Sequence, residues 1–165
     1  MLSSLHKGAA VLVPPASTVV EVATALRAVG LAHLACHSTL RSDNPTFSSL
    51  LFCDGPLTIQ ELALRGLAPH RIVLASCDSG ADAVYQGNEM LGFVSALMAR
   101  GTAGLVGSMV LLPDVDVVPL MRSLHEHIIA GATLADALFL ARTATDIEPD
   151  GGLLTWCAFN AFGAA

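Results

Sequence analysis

Short apolar runs alternate along the chain with helix-opening signals. Gly8 to Val13 reads as a strand ended by Pro14-Pro15, and Thr18-Val-Val-Glu21 then has the form of a capping box. The helix it opens carries Val19, Val22, Leu26 and Val29 on one face and ends at Gly30. Leu31 to Cys36 is the next apolar run and predicts a strand. Polar loop residues follow from Arg41 to Thr46, and Ser49 to Cys53 with Asp54-Gly55 predicts a short extended piece or hairpin. Thr58-Ile-Gln-Glu61 is a second capping box, Arg71 to Ser76 a strand, and Glu89 to Arg100 a helix closed by Gly101. Ala103 to Val110 is a continuous apolar strand. Pro113-Asp114, with Asp114 read as a cap, opens a helix whose Val117, Leu120, Met121, Leu124 and Ile128 share a face, and Thr133-Leu-Ala-Asp136 opens another. A turn cluster at Glu148 to Gly152 precedes a last strand from Leu153 to Phe162. Strands separated by helical crossovers imply an α/β domain with a mostly parallel sheet and helices on both faces.

Within that order, one thiol has a distinctive place. The apolar run Val73-Leu-Ala-Ser76 delivers Cys77 to the end of a buried strand, followed by Asp78, Ser79 and Gly80. Forty residues earlier (77 − 37 = 40) the Leu31–Cys36 run delivers His37. On adjacent parallel strands, a nucleophile and an acid–base group would meet at one sheet edge. A thiol of ordinary pKa near 8.5 is mostly protonated at neutral pH, so such a partner is what makes it useful.

Composition narrows the context. The chain has 165 residues, 53% hydrophobic and 13% charged, which suits one domain over residues 1–165 with a sizeable core. A mean hydropathy of +0.64 is high, yet no apolar stretch reaches the ~18 residues a membrane span needs. The excess apolar surface is expected to meet a partner, either a second copy or a larger parent chain. A net charge of −6 and the absence of a basic run argue against nucleic acid or an anionic membrane as partner. The N-terminus has no signal-peptide pattern, so a cytoplasmic location is expected. Cys36, Cys53, Cys77 and Cys157 show no C-x-x-C spacing; all but Cys77 read as buried thiols.

The order of several motifs resembles one family. His33-Leu-Ala-Cys-His37-Ser38, Leu50-Leu-Phe-Cys-Asp-Gly-Pro-Leu-Thr58 with Glu61-Leu62, Val73-Leu-Ala-Ser-Cys77 with Ser79-Gly80, Gly87-Asn-Glu89 with Gly92-Phe93, and Trp156-Cys-Ala-Phe159 look like the CHAT domains, which are caspase-like. The likeness is collinear from about Val11 to Gly163. It implies a caspase-like three-layer sandwich that lacks the N-terminal segment family members carry. It implies His37 and Cys77 as a catalytic dyad, the backbone amides of Ser38 and Cys77 as oxyanion donors, and Asp54, Gly55, Glu89 and Ser108 near the substrate groove. The implied function is endopeptidase cleavage of a protein partner in signalling or defence, under a regulator such as a tetratricopeptide-repeat module. Ser38 stands where the family has Gly, Asn88 where it has an acid, and Val110 where it has Trp. Those departures favour the alternative, a degenerate domain that binds proteins as a scaffold.

No cofactor is implied. His33, Cys36 and His37 have the spacing of a metal cluster, but strand alternation would send Cys36 to the face opposite the two histidines, so no metal is expected. His125 and His127 read as solvated helix residues, and His6 and His70 as loop residues.

Overall fold

The computed structural model describes residues 2–39, 41, 43–75, 94–108, 114–145 and 152–165. The chain order is α1 (Val19–Leu26), β1 (Leu31–Leu34), β2 (His37–Thr39), β3 (Ser49–Phe52), β4 (Gly55–Thr58), α2 (Ile59–Leu64) and β5 (Arg71–Leu74). After helical residues 94–98 come β6 (Gly104–Ser108), α3 (Asp114–Ile129), α4 (Leu134–Thr143), α5 (Gly152–Ala158) and β7 (Phe159–Gly163).

The main sheet has the order β1-β5-β6-β7. Its first three strands are parallel, with Leu31 opposite Arg71 and Ile72 opposite Leu105; β7 closes the far side antiparallel to β6. Side-chain alternation sends Ile72, Leu74 and Leu105 into one core with Val22, Leu26, Ile59 and Leu62, while Val73 and Val106 enter a second core with α3 and α4. Helices therefore cover both faces, the α/β sandwich expected. A second sheet, β2-β3-β4, is antiparallel throughout.

Local sequence accounts for the helices. Thr18, Thr58 and Thr133 each accept a bond from the amide three residues on, and only Thr58 with Glu61 forms the complete reciprocal box. All five predicted positions of α3 are buried, and α4 buries Leu134, Ala137, Leu138 and Ala141 at the same spacing. No described helix is long and apolar enough to cross a membrane. Gly163 holds φ +86, and a β-carbon there would collide with the Ala103 carbonyl, so the end of β7 accepts only glycine.

Four readings need correction. Gly8 to Val13 forms no strand: Val11 and Val13 are exposed and the segment has no ladder partner among the described residues. The run from Leu31 stops as a strand at Leu34. The apolar stretch from Leu153 begins as helix α5, which buries Thr155 and Ala158, and becomes strand only at Phe159. Cys53 and Cys157 are exposed rather than core, and Trp156 stands 39% exposed beneath the Arg142 guanidinium, 5.3 Å from its ring centre. That guanidinium also donates to the Phe159 carbonyl, tying α4 to the start of β7. The predicted helix from Glu89 lies within the described residues only from 94, and the turn cluster at 148–151 lies outside them.

Candidate active site

The site begins where the parallel strands end. β1 and β5 are neighbours in the register Leu34 opposite Leu74. His37 follows Leu34 by three residues (37 − 34 = 3), and Cys77 follows Leu74 by the same three (77 − 74 = 3). The strand register and the dyad spacing share one offset of forty (71 − 31 = 40). Carboxyl ends of parallel strands are where α/β sheets place ligands. Cys77, and with it Asp78, Asn88, Glu89 and Val110, lies outside the described residues.

His37 is described, and its setting differs from a simple strand end. After Leu34 the chain leaves the main sheet, and His37 opens β2, where it faces Leu51, with Ser38 facing Leu50 and Thr39 facing Ser49. The His37 side chain is exposed while Ser38 is buried at 2% exposure. No non-glycine residue among those described has a positive φ, so Ser38 occupies ordinary backbone space and carries no strain from its β-carbon.

The hairpin below His37 is held by its own chemistry. Phe52 pairs with Gly55 across the turn Cys53-Asp54, one residue earlier than the predicted turn pair, and Gly55 takes φ +147. Asp54 Oδ1 accepts the Val19 amide at 2.7 Å, satisfying one of the open donors of the α1 N-terminus. Cys53 Sγ donates to the Pro15 carbonyl at 3.3 Å. Ser108, the last residue of β6, is buried opposite Phe159.

A cavity of about 840 Å³ brings several of these residues to one space: His37, Cys36, Phe52, Cys53, Ala75 and Ser108 all line it. Among the described lining residues there is no Asp, Glu, Lys or Arg. Cys36 sits in its apolar wall, and burial pushes the thiol up to about 12, so it remains protonated and inert.

The histidines divide in a way the residue spacing did not reveal. His33, four residues before His37, does not share its face, because the strand that would have carried both ends at Leu34. Its Nδ1 lies 2.7 Å from His125 Nε2, and His125 Nδ1 lies 2.8 Å from His6 Nε2. His125, expected to be solvated, is 2% exposed. Both its ring nitrogens are engaged from different sides, so the three rings form a hydrogen-bonded chain from the N-terminal segment through α3 to β1. Burial lowers His33 and His125 to about 4, with the neighbouring imidazoles adding a smaller effect in the same direction. A signal was present: His125 lies four residues after Met121 and three before Ile128, on the apolar face of α3. No group of three or more His, Cys, Asp or Glu side chains among the described residues is arranged to hold a metal ion.

Comparison with curated proteins finds no match to this chain. The profile of the CHAT domain matches residues 1–164, essentially the whole sequence, in agreement with the parallel sheet, its helical layers and the ordered motifs. The chain belongs to the CHAT domain family, a caspase-like, peptidase-related family.

Proposed function

We propose that this CHAT domain is a cysteine endopeptidase that cleaves a protein partner in the cytoplasm through His37 and Cys77. The observation that carries the reading is the shared offset: β1 and β5 are parallel neighbours, and the two residues follow them at equal distance. Family membership supports it. In this reading the Cys77 thiolate attacks the scissile carbonyl carbon, forming a C–S bond as the carbonyl electrons move to oxygen. The amides of Ser38 and Cys77 hold that oxyanion, each donor contributing roughly 3 kcal/mol. His37, carrying the proton released by the Cys77 thiol, passes it to the departing amine as the oxyanion electrons return to the carbonyl and the peptide C–N bond breaks; water then hydrolyses the thioester and returns the thiol.

The groove is proposed to run past Asp54, Gly55, Glu89 and Ser108. A regulator, of tetratricopeptide-repeat or other type, is proposed to control access. Exposed Phe139, Leu153 and Leu154 supply apolar surface for association with such a partner or with a second copy.

The test compares wild type with Cys77→Ala and His37→Ala in the longest natural chain, against candidate partner proteins, with fragments read by mass spectrometry. Cleavage by wild type that disappears in both variants is the expected result. Cleavage that survives Cys77→Ala overturns the chemistry, and silent variants beside retained partner binding establish the scaffold alternative.

A further inference from the structure

His6, His125 and His33 join three separate parts of the chain. His125 stands on α3, His33 on β1, and His6 on the N-terminal segment, where Ser3, Lys7, Gly8 and Ala9 are exposed. Ring centres are 4.9 Å apart from His6 to His125 and 5.0 Å from His125 to His33, so both short nitrogen contacts are direct. The Leu5 and Ala9 amides donate to the Leu2 and His6 carbonyls, bonds that end within the segment. Leu2 packs beside the second core and lines the cavity with His33 and His37. The His6 contact therefore ties a piece of the cavity wall to α3.

Each contact needs one hydrogen between its two nitrogens, and two further nitrogens, His6 Nδ1 and His33 Nε2, lie outside the contacts. Three neutral imidazoles carry three hydrogens, which fill both contacts and leave one outer nitrogen bare. A fourth hydrogen fits there, and shifts within the contacts let any one of the three rings carry the charge. A fifth has no place: one contact would hold two hydrogens and must open. His33 is held in the ladder opposite Val73 and His125 on the buried face of α3, whereas His6 is partly exposed on a segment with no ladder partner among the described residues. The His6 contact is the one that gives way.

The surrounding charges leave the chain to itself. His33 and His6 act on His125, and His6 acts on His33, in addition to burial. α3 packs against α4, α5 and the N-terminal turn Leu2–Ser4. Arg122 and Glu126 of α3 pair with each other, Asp136 of α4 accepts from Thr133, and Arg142 donates to the Phe159 carbonyl. His127 of α3, Cys157 of α5, Arg71 of β5 and Lys7 beside His6 are the other ionisable groups described on these elements, and His37 and Cys36 share the cavity lining with His33. We propose that the three imidazoles form an acid latch: the chain holds one added proton with both contacts closed, and a second frees His6, so that the segment from Leu2 to Ala9 leaves α3 and the cavity opens on that side. Once free, His6 and the remaining pair hold one proton each, one more than the closed chain can hold. Below about pH 6 the ratio of open to closed forms therefore rises about tenfold for each pH unit. Cys77 takes no part, so the latch is independent of the peptidase reading.

The experiment uses the whole chain labelled with ¹⁵N, followed by NMR between pH 7.5 and 4.5. Imidazole nitrogen shifts report ring protonation, and relaxation dispersion with heteronuclear NOEs gives the population in which residues 3–8 are released. Expected are a closed segment at pH 7, a released population rising about tenfold per pH unit below pH 6, and amides of Leu31 to Leu34 that stay ordered throughout. His6→Gln offers His125 Nδ1 either an amide oxygen or an amide N–H, so it satisfies both protonation states; its released population is expected to change less than about threefold between pH 6 and pH 5. His6→Ala lacks the contact and is expected to release the segment already at pH 7. The proposal is overturned if the segment stays closed in wild type down to pH 4.5, if it leaves only when β1 unfolds, if His6→Gln follows the wild-type slope, or if His6→Ala stays closed at pH 7.

Discussion

His33 and His37 lie four residues apart on one short stretch of chain and live in opposite environments. His33 belongs to β1, with its ring bonded to the buried imidazole of His125, and burial holds it neutral. His37 stands exposed on the small antiparallel sheet, beyond the carboxyl ends of the parallel strands. What separates them is the break at Leu34, where the chain stops pairing with β5 and starts a new pairing with β3. The same side chain is a buried structural connector before the break and a solvent-exposed group at the end of the parallel strands after it.

The largest expected effect is on cleavage. His37→Ala is expected to reduce cleavage at least about a thousandfold with the melting temperature near wild type, since removing a member of such a catalytic set typically costs that much. His33→Ala is expected to leave the rate per folded molecule within a few-fold and to lower stability instead. The opposite split, with activity lost at His33 and retained at His37, would break the comparison.

Next in size is the centre of the buried chain. His125→Ala removes a ring bonded on both nitrogens and leaves two partners without their bonds, expected to cost about 3 kcal/mol, or roughly 6–12 °C in a chain of this length. His127→Ala, on a half-buried neighbour, is expected to stay within about 0.5 kcal/mol. Thermal unfolding by circular dichroism checks both.

The same chain makes stability depend on pH. The folded pKa of His33 and of His125 is depressed to about 4 from 6.5, so the unfolded state binds more protons between those values. Stability is full above about pH 6.5, falls as pH drops toward 4, and levels off below. By pH 5 each of the two imidazoles is expected to contribute a loss of roughly 2 kcal/mol, on the order of 4 kcal/mol together. Urea unfolding at pH 7 and pH 5 measures it, and His125→Leu is expected to flatten the slope. An equal slope in that variant would assign the pH dependence elsewhere.

How much of this was readable in advance depends on how local the cause is. Threonine caps and the apolar spacing of α3 are short-range signals, and the helices starting at Val19, Ile59 and Leu134 follow from them. The parallel pairing of β1 with β5 followed from crossover logic, and with it the common offset of forty. The end of β1 at Leu34 was not readable, because Ala35 and Cys36 are as apolar as the residues before them and only the competing pairing with β3 ends the strand. The run from Leu153 misled for a related reason: its apolar residues suit a strand, yet their positions before Phe159 form a helical turn that leaves Leu153 and Leu154 exposed. His125 was misread by residue type, although its spacing placed it on the buried face.

The smallest effect tests whether Asp54 belongs with the structural or the functional histidine. Its carboxylate accepts the Val19 amide at 2.7 Å, which is sufficient reason for an acceptor at that turn. Removing such an acceptor at a helix start costs typically about 1 kcal/mol. Asp54→Ala is therefore expected to lower stability by about that amount, and Asp54→Asn, which keeps an oxygen in place, by a few tenths. Asn retains the acceptor but loses the charge, so the pair of variants separates the two roles. If Asp54 serves only α1, cleavage per folded molecule stays near wild type in both. If it also lines the substrate groove as an anion, kcat/KM falls in Asp54→Asn although stability barely changes, and the hairpin tip then belongs to the same functional surface as His37.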